Sequence, residues 1–136
     1  MEPKFPRSPR IKFAGLVHLA RMLDKARAYE KNTLGEYIYP CPMDDAVLEF
    51  LQTDHESLAQ MASERTDPEI ESWIKELCRS RSPEEFETMN LQMLSRCPES
   101  GEKLEYFIEQ RNKIDPNRSD VTTWVDLIDL DEGRLQ

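Results

Sequence analysis

The sequence predicts an all-α fold, a compact single-domain bundle of about six to seven short helices behind an extended N-terminal arm. The 136 residues include only four glycines, too few for a turn-rich β protein. Apolar residues recur at helical spacing along most of the chain, and residues typical of helix starts precede several of these runs. A chain of this length suits one domain and can bury a hydrophobic core without disulfide bonds or a structural metal ion. We therefore expect a basic arm over 1–12 and one helical domain over 13–136.

The N-terminal segment cannot be regular helix, because Pro3, Pro6 and Pro9 fix its backbone and remove amide donors. The first helix is expected at about 14–31. Its apolar face collects Leu, Ala, Met and Tyr side chains, and its other face is polar. Arg27 is an exception that projects from the apolar side.

Six further helices follow from periodicity and capping signals. We place them at about 43–52, from an Asp54 cap to about 65, from an Asp67 cap with Pro68 at the first position, from a Ser82 capping box, at about 101–113, and after Ser119 or Asp120. The last segment is rich in β-branched residues, so a strand is its alternative.

The net charge of −9 is unevenly distributed, with +4 over residues 1–42 and −13 over residues 43–136. A basic arm can mark a nucleic-acid partner, but four excess charges are a weak footprint, so nucleic acid is not an expected partner. We expect the arm to fold onto the acidic part of its own chain or to stay solvated. Docking on a neighbour instead would produce a homodimer by arm exchange.

The sequence favours a cytoplasmic protein. The segment after Met1 lacks the apolar run of a signal peptide, and no apolar stretch reaches membrane-spanning length, so no membrane association is expected. The cysteines, Cys41, Cys78 and Cys97, are odd in number and widely spaced, which argues against a disulfide framework. Cys78 and Cys97 fall on apolar helix faces and are expected in the core.

Catalytic and metal-binding templates are missing from the sequence. It has no phosphate-binding glycine loop, no dinucleotide fingerprint and no zinc-protease motif. The two histidines, His18 and His55, have no cysteine or second histidine nearby in sequence, so no metal site and no cofactor are expected.

Polar residues concentrate between residues 18 and 45. His18, Arg21 and Lys25 share one strip of the first helix, where they could hold a phosphate or carboxylate; the favoured interpretation is a solvated face. Arg27 is expected in a salt bridge to Glu36, Asp44 or Asp45, because an unpaired charge on an apolar face is costly, and its alternative role is a ligand anchor.

Two function classes follow from this region. The first is a non-catalytic domain that binds another protein or a small anionic ligand. Its candidate ligand-binding residues are His18, Arg21, Lys25, Arg27, Glu36 and Tyr37. The alternative is an enzyme of unidentified reaction with a site around His18, Asp24, Glu36 and Cys41, in which a Cys41–His18 pair could supply a nucleophile.

Several motifs also resemble a family of small bacterial proteins known as domain of unknown function 5069. The matching segments are Pro6-Arg7-Ser8-Pro9, Gly15 to Leu19 with Arg21, Asp24 to Ala28, Thr33 to Tyr37, Cys41 to Asp44, Ser82 to Glu85, and Asp129 to Arg134. The resemblance spans most of the chain and is densest over 6–44. It implies an ordered C-terminus, and it implies no activity, cofactor or partner.

Overall fold

The computed structural model describes residues 5–135. Within this range the chain forms seven α-helices and no strand, which confirms the predicted all-α class. One isolated bridge joins Phe13 and Leu16. The helices are α1 (Leu19–Glu30), α2 (Pro42–Leu51), α3 (His55–Glu64), α4 (Asp67–Leu77), α5 (Pro83–Ser95), α6 (Glu102–Ile114) and α7 (Trp124–Asp131).

The first helix begins at Leu19, five residues later than expected. Phe13 and Leu16 exchange both backbone hydrogen bonds across a tight turn in which Ala14 and Gly15 have φ values of 51° and 84°. His18 is also left-handed, with φ 71°, and occupies the N-cap position. Three positive φ values between residues 14 and 18 are incompatible with an α-helix there. Apolar periodicity alone does not reveal such a turn.

Two other predicted helix starts differ from the observed starts by a few residues. Thr66, rather than Asp67, is the N-cap of α4, and its hydroxyl accepts from the Glu69 amide in a complete capping box. The last helix begins after Thr123 instead of Ser119 or Asp120, because the Thr123 hydroxyl accepts from the Asp126 amide as the N-cap. Asp120 instead pairs with the Arg118 guanidinium in a preceding turn. That segment is helical, so the strand alternative is also excluded.

Helix α1 lies at the centre of the main core and packs most extensively against α3. Its fully buried apolar side chains include Leu19, Met22 and Leu23. A second, smaller cluster lies under α6 and α7 and consists of Phe107, Val121, Leu127 and Leu130.

The two cysteines that were predicted on apolar helix faces, Cys78 and Cys97, differ in solvent exposure. Cys78 is buried in the main core, as expected. Cys97 is exposed, contrary to expectation, because α5 ends at Ser95 and its apolar face does not extend that far.

Among residues 5–135, no helix combines the length and the apolar character that crossing a membrane would require. The described part of the N-terminal arm, residues 5–12, contains no helix; Pro3 and the rest of residues 1–4 lie outside the described residues.

Candidate functional site

The polar strip of α1 is enclosed by protein. The exposed fractions of His18, Arg21 and Lys25 are 1%, 4% and 4%, so the expectation of a solvated face is wrong. The apolar face of the same helix is also covered, so α1 is buried on both sides over its N-terminal two turns, while its C-terminal turn is exposed. Each of these charged or polar groups must therefore find a partner inside the fold.

The first buried network is built around the Asp44 carboxylate, which is fully buried. His18 Nε2 lies 2.6 Å from Asp44 Oδ1, and Lys25 Nζ donates to Asp44 Oδ2 at 2.7 Å. Burial lowers the pKa of His18 and outweighs the carboxylate beside it. Burial alone would raise the pKa of Asp44, but the His18 hydrogen bond and the Lys25 charge bring it below its usual range. The network is thus a neutral imidazole, a carboxylate and an ammonium.

Cys41 belongs to the same network. It is the N-cap of α2, its amide donates to Asp44 Oδ2 at 2.9 Å, and its Sγ lies 3.4 Å from Lys25 Nζ. Lys25 also donates to the Ile38 carbonyl at 3.1 Å. Burial, followed by the Asp44 charge, raises the pKa of the Cys41 thiol, which disfavours a thiolate nucleophile at neutral pH.

The second network joins α1 to the C-terminal segment. Arg21 donates to both carboxylate oxygens of Glu132, at 2.9 and 2.8 Å, in the bidentate geometry that arginine favours. Tyr37 donates to Glu132 at 3.2 Å, and Arg134 donates to it at 2.5 Å. Arg21 is 111 residues from its carboxylate partner in sequence.

The N-terminal arm docks on its own chain. Arg7 donates to Asp24 through its amide at 2.8 Å and its Nε at 3.0 Å. Ser8 donates to the buried Asp129 at 2.8 Å, and Arg10 pairs with Asp129 and Asp126. Arg7 and Arg10 of the arm therefore meet carboxylates on α1 and α7.

Arg27 forms a salt bridge, but its predicted partners were wrong. Its guanidinium pairs with Asp67 and Asp24, and its Nε donates to the Ala62 carbonyl at 2.9 Å. The Arg27 side chain runs along α3 towards the start of α4. Asp44 is held by His18 and Lys25 in the first network.

An open groove of about 1020 Å³ runs beside α1. It is lined by α1 residues Asp24, Lys25, Arg27, Ala28 and Lys31, by residues 33–37, and by Phe5, Pro6, Tyr106 and Asp131. Five candidates named from sequence, Asp24, Lys25, Arg27, Glu36 and Tyr37, therefore share this groove. His18, Arg21 and Cys41 are not part of its lining.

The candidate enzyme set is divided between two places. His18 and Cys41 lie in the Asp44 network, whereas Asp24 and Glu36 line the groove. Asp24 is held by Arg7 and Arg27. Cysteine and histidine are both missing from the groove lining described here, so the groove itself carries neither a thiol nucleophile nor an imidazole base.

Sequence reasoning missed the carboxylates that organise the region. Glu132 and Asp129 appeared only as members of the 129–134 motif, and as an ion-pair partner Asp44 was considered for Arg27 alone. Their roles depend on contacts between segments far apart in sequence. A usable signal was the set of motif segments: 6–9, 15–28, 33–44 and 129–134 all meet around α1.

The family model for a domain of unknown function, DUF5069, matches residues 3–134, so the chain belongs to this family. No curated protein is recognisably similar to the chain.

Proposed function

We propose that this chain is a non-catalytic binding domain for a small charged molecule, which lies in the groove beside α1. The groove is formed where the family's motif segments converge, and its volume of about 1020 Å³ is large enough to admit a small ligand. We prefer binding to catalysis because Cys41, the candidate nucleophile, does not line the groove and its thiol has a raised pKa.

The charges available to a ligand differ from those expected from sequence. Lys25 and Arg27 line the groove, but their charges are committed to Asp44 and to Asp67 and Asp24. Among the described groove residues, Lys31, Glu36 and Asp131 are exposed and form no ion pair within the described chain.

These three uncompensated charges, one positive and two negative, are the observation that carries the proposal. Lys31 suits a carboxylate or phosphate group, as the anionic-ligand hypothesis requires. Glu36 and Asp131 suit an ammonium group. The ligand class that satisfies both signs is a small zwitterion, an amine that also bears an acidic group.

The test is a thermal-shift screen against small zwitterions, simple anions and simple amines. A ligand that binds the native state raises the melting temperature by mass action. We expect zwitterions to give the largest shift, and Lys31→Gln and Glu36→Gln each to reduce it. Lys103→Gln is the matched control, because Lys103 is exposed on α6 outside the groove.

Other outcomes separate the alternatives. A melting-temperature shift that only anions produce, and that only Lys31→Gln removes, would indicate that the ligand is a simple anion. No shift from any compound would remove the ligand proposal and leave binding to another protein, including a second copy of this chain, as the function to test by pull-down and native mass. A bacterial source and a cytoplasmic location are part of the proposal; the family resemblance supports the first, and the second rests on the sequence expectation alone.

A further inference from the structure

We propose that His18, Cys41 and Asp44 form a binding site for a divalent metal ion of the zinc class. One ligand atom from each side chain lies within 4.8 Å of the others. Imidazole, thiolate and carboxylate are the three groups that bind zinc in proteins. Metal–ligand bonds of roughly 2.0–2.3 Å in a tetrahedral site place neighbouring ligand atoms roughly 3.5 Å apart, so small side-chain movements complete the geometry.

The three ligands are held by two helix starts. His18 is the N-cap of α1, with its amide donating to the Pro9 carbonyl at 2.7 Å. Cys41 and Asp44 are the N-cap and third residue of α2, and they form a reciprocal capping box. The site is therefore anchored by helix backbone, as a preorganised metal site requires.

Asp44 already has the hydrogen bonds of a metal-ligating carboxylate. Its Oδ2 accepts from Lys25 Nζ and from the Cys41 amide, while Oδ1 faces His18 Nε2 at 2.6 Å. A metal ion between Nε2 and Oδ1 would replace the proton that now joins them. Lys25 would keep its contact with Oδ2 and orient the carboxylate from outside the coordination sphere.

The exchange requires a change in the tautomer of His18. It is 1% exposed, and its Nδ1 is buried without a hydrogen-bond partner in the described chain. The ring is thus tethered only through Nε2, the atom that would bind the metal. On binding, the Nε2 proton moves to Nδ1, and the imidazole remains neutral. The Nδ1–H donor is then buried without an acceptor among the described residues, a cost that the metal–ligand bonds must offset.

The protons balance, and with the divalent ion bound the site carries one net positive charge. A neutral imidazole, a thiolate and a carboxylate supply two negative charges, and Lys25 supplies one positive charge. Binding a divalent ion releases one proton, that of the Cys41 thiol, to solvent. Cys41 is only half-buried, so a water molecule can reach the fourth coordination position.

The experiment is a cobalt(II) titration of the reduced full-length chain, followed by its absorption spectrum. Cobalt(II) bound to a thiolate gives a ligand-to-metal charge-transfer band, and a tetrahedral site gives intense visible bands. We expect both in the parent, and we expect zinc(II) to displace them. Cys41→Ser should abolish the charge-transfer band; serine is a favoured N-cap residue, so this variant should fold.

The other two cysteines supply matched controls. Cys97→Ser alters an exposed thiol and Cys78→Ser a buried one, and both variants should keep the band. Asp44→Asn should lower cobalt affinity at least tenfold while circular dichroism reports a folded chain. Absence of the band in the folded parent, or its persistence in Cys41→Ser, would overturn the site. Neither result depends on the groove, so the ligand proposal stands or falls separately.

Discussion

Helices α1 and α6 are nearly equal in length, 12 and 13 residues, and both carry apolar and charged faces. Seven residues of α1 are buried, including Arg21 and Lys25, whereas Phe107 is the only buried residue of α6. Large apolar side chains of α6, such as Tyr106 and Ile108, remain exposed.

The difference arises from what covers each helix. The polar face of α1 is covered by the N-terminal arm, the 33–44 segment and the C-terminal residues, which together supply its carboxylate partners. Helix α6 is held by Phe107 in the smaller apolar cluster, including its ring contact with Trp124 at 5.1 Å between centroids, and by an Arg111 hydrogen bond to the Val121 carbonyl at 3.1 Å. Stability should therefore be concentrated around α1 and low around α6.

The largest expected effect comes from one arginine on each helix. Arg21→Ala removes the bidentate partner of the buried Glu132, and we expect the free energy of unfolding to fall by about 3 kcal/mol or more, since breaking a buried ion pair leaves an uncompensated charge. Arg111→Ala removes a single hydrogen bond and should cost about 1 kcal/mol. Urea unfolding of both variants measures the contrast.

A double variant distinguishes the pair's net value from the cost of an orphaned charge. Arg21→Met with Glu132→Leu replaces both groups by apolar side chains, and we expect it to recover much of the stability lost in Arg21→Ala. Equal losses in the Arg21→Ala and Arg111→Ala variants would contradict the stated difference between the two helices.

The second effect is local. Phe107→Ala deletes the buried anchor of α6, and we expect its amides to exchange through openings that cost about 3 kcal/mol less than in the parent, while the amides of α1 keep their protection. Hydrogen exchange followed by mass spectrometry resolves the two helices. Ile108→Ala, at an exposed neighbouring position, is the control and should change little. Loss of protection in α1 as well would show that the two clusters unfold together.

The helices were largely predictable because their signals are local. Asp54 and Ser82 cap α3 and α5 as expected, since a capping residue and its amide partner lie within three positions. The start of α1 was missed because Ala14 and His18 adopt left-handed conformations without the glycine that usually signals them. Those conformations are maintained by contacts that form only in the folded chain.

The sequence indicates which residues near α1 lie on the same side, but it does not indicate whether those residues are buried or which residues they contact. The helical wheel put His18, Arg21 and Lys25 on one strip by spacing alone. In the structure Arg21 and Lys25 belong to α1, whereas His18 is its left-handed N-cap. Whether the strip meets water depends on Asp44 and Glu132, which are 26 and 111 residues away from their partners. Such pairings are set by tertiary packing, which periodicity does not encode. Arg27 illustrates the same limit, because a carboxylate partner was expected and the correct one, Asp67, lies 40 residues away.

The smallest expected effect concerns an ion pair on α6, whose contribution to the free energy of unfolding can be compared with that of the ion pairs of α1. Lys113 Nζ lies 3.5 Å from Glu109 at helical i,i+4 spacing, and both side chains are more than 60% exposed. Water screens this pair and two flexible side chains must be ordered to form it, so Glu109→Gln should change the free energy of unfolding by less than about 0.5 kcal/mol.

High salt provides a further test of the Glu109→Gln effect, because 1 M salt shortens the electrostatic screening length to about 3 Å. Any effect of Glu109→Gln should vanish under these conditions, as measured by urea unfolding at low and high salt. The loss in Arg21→Ala should persist, because the side chains of Arg21 and Glu132 are only 5% and 2% exposed and ions cannot enter between them. A salt-sensitive loss at Arg21 would mean that solvent reaches the polar face of α1, and the enclosure of that helix would have to be rejected.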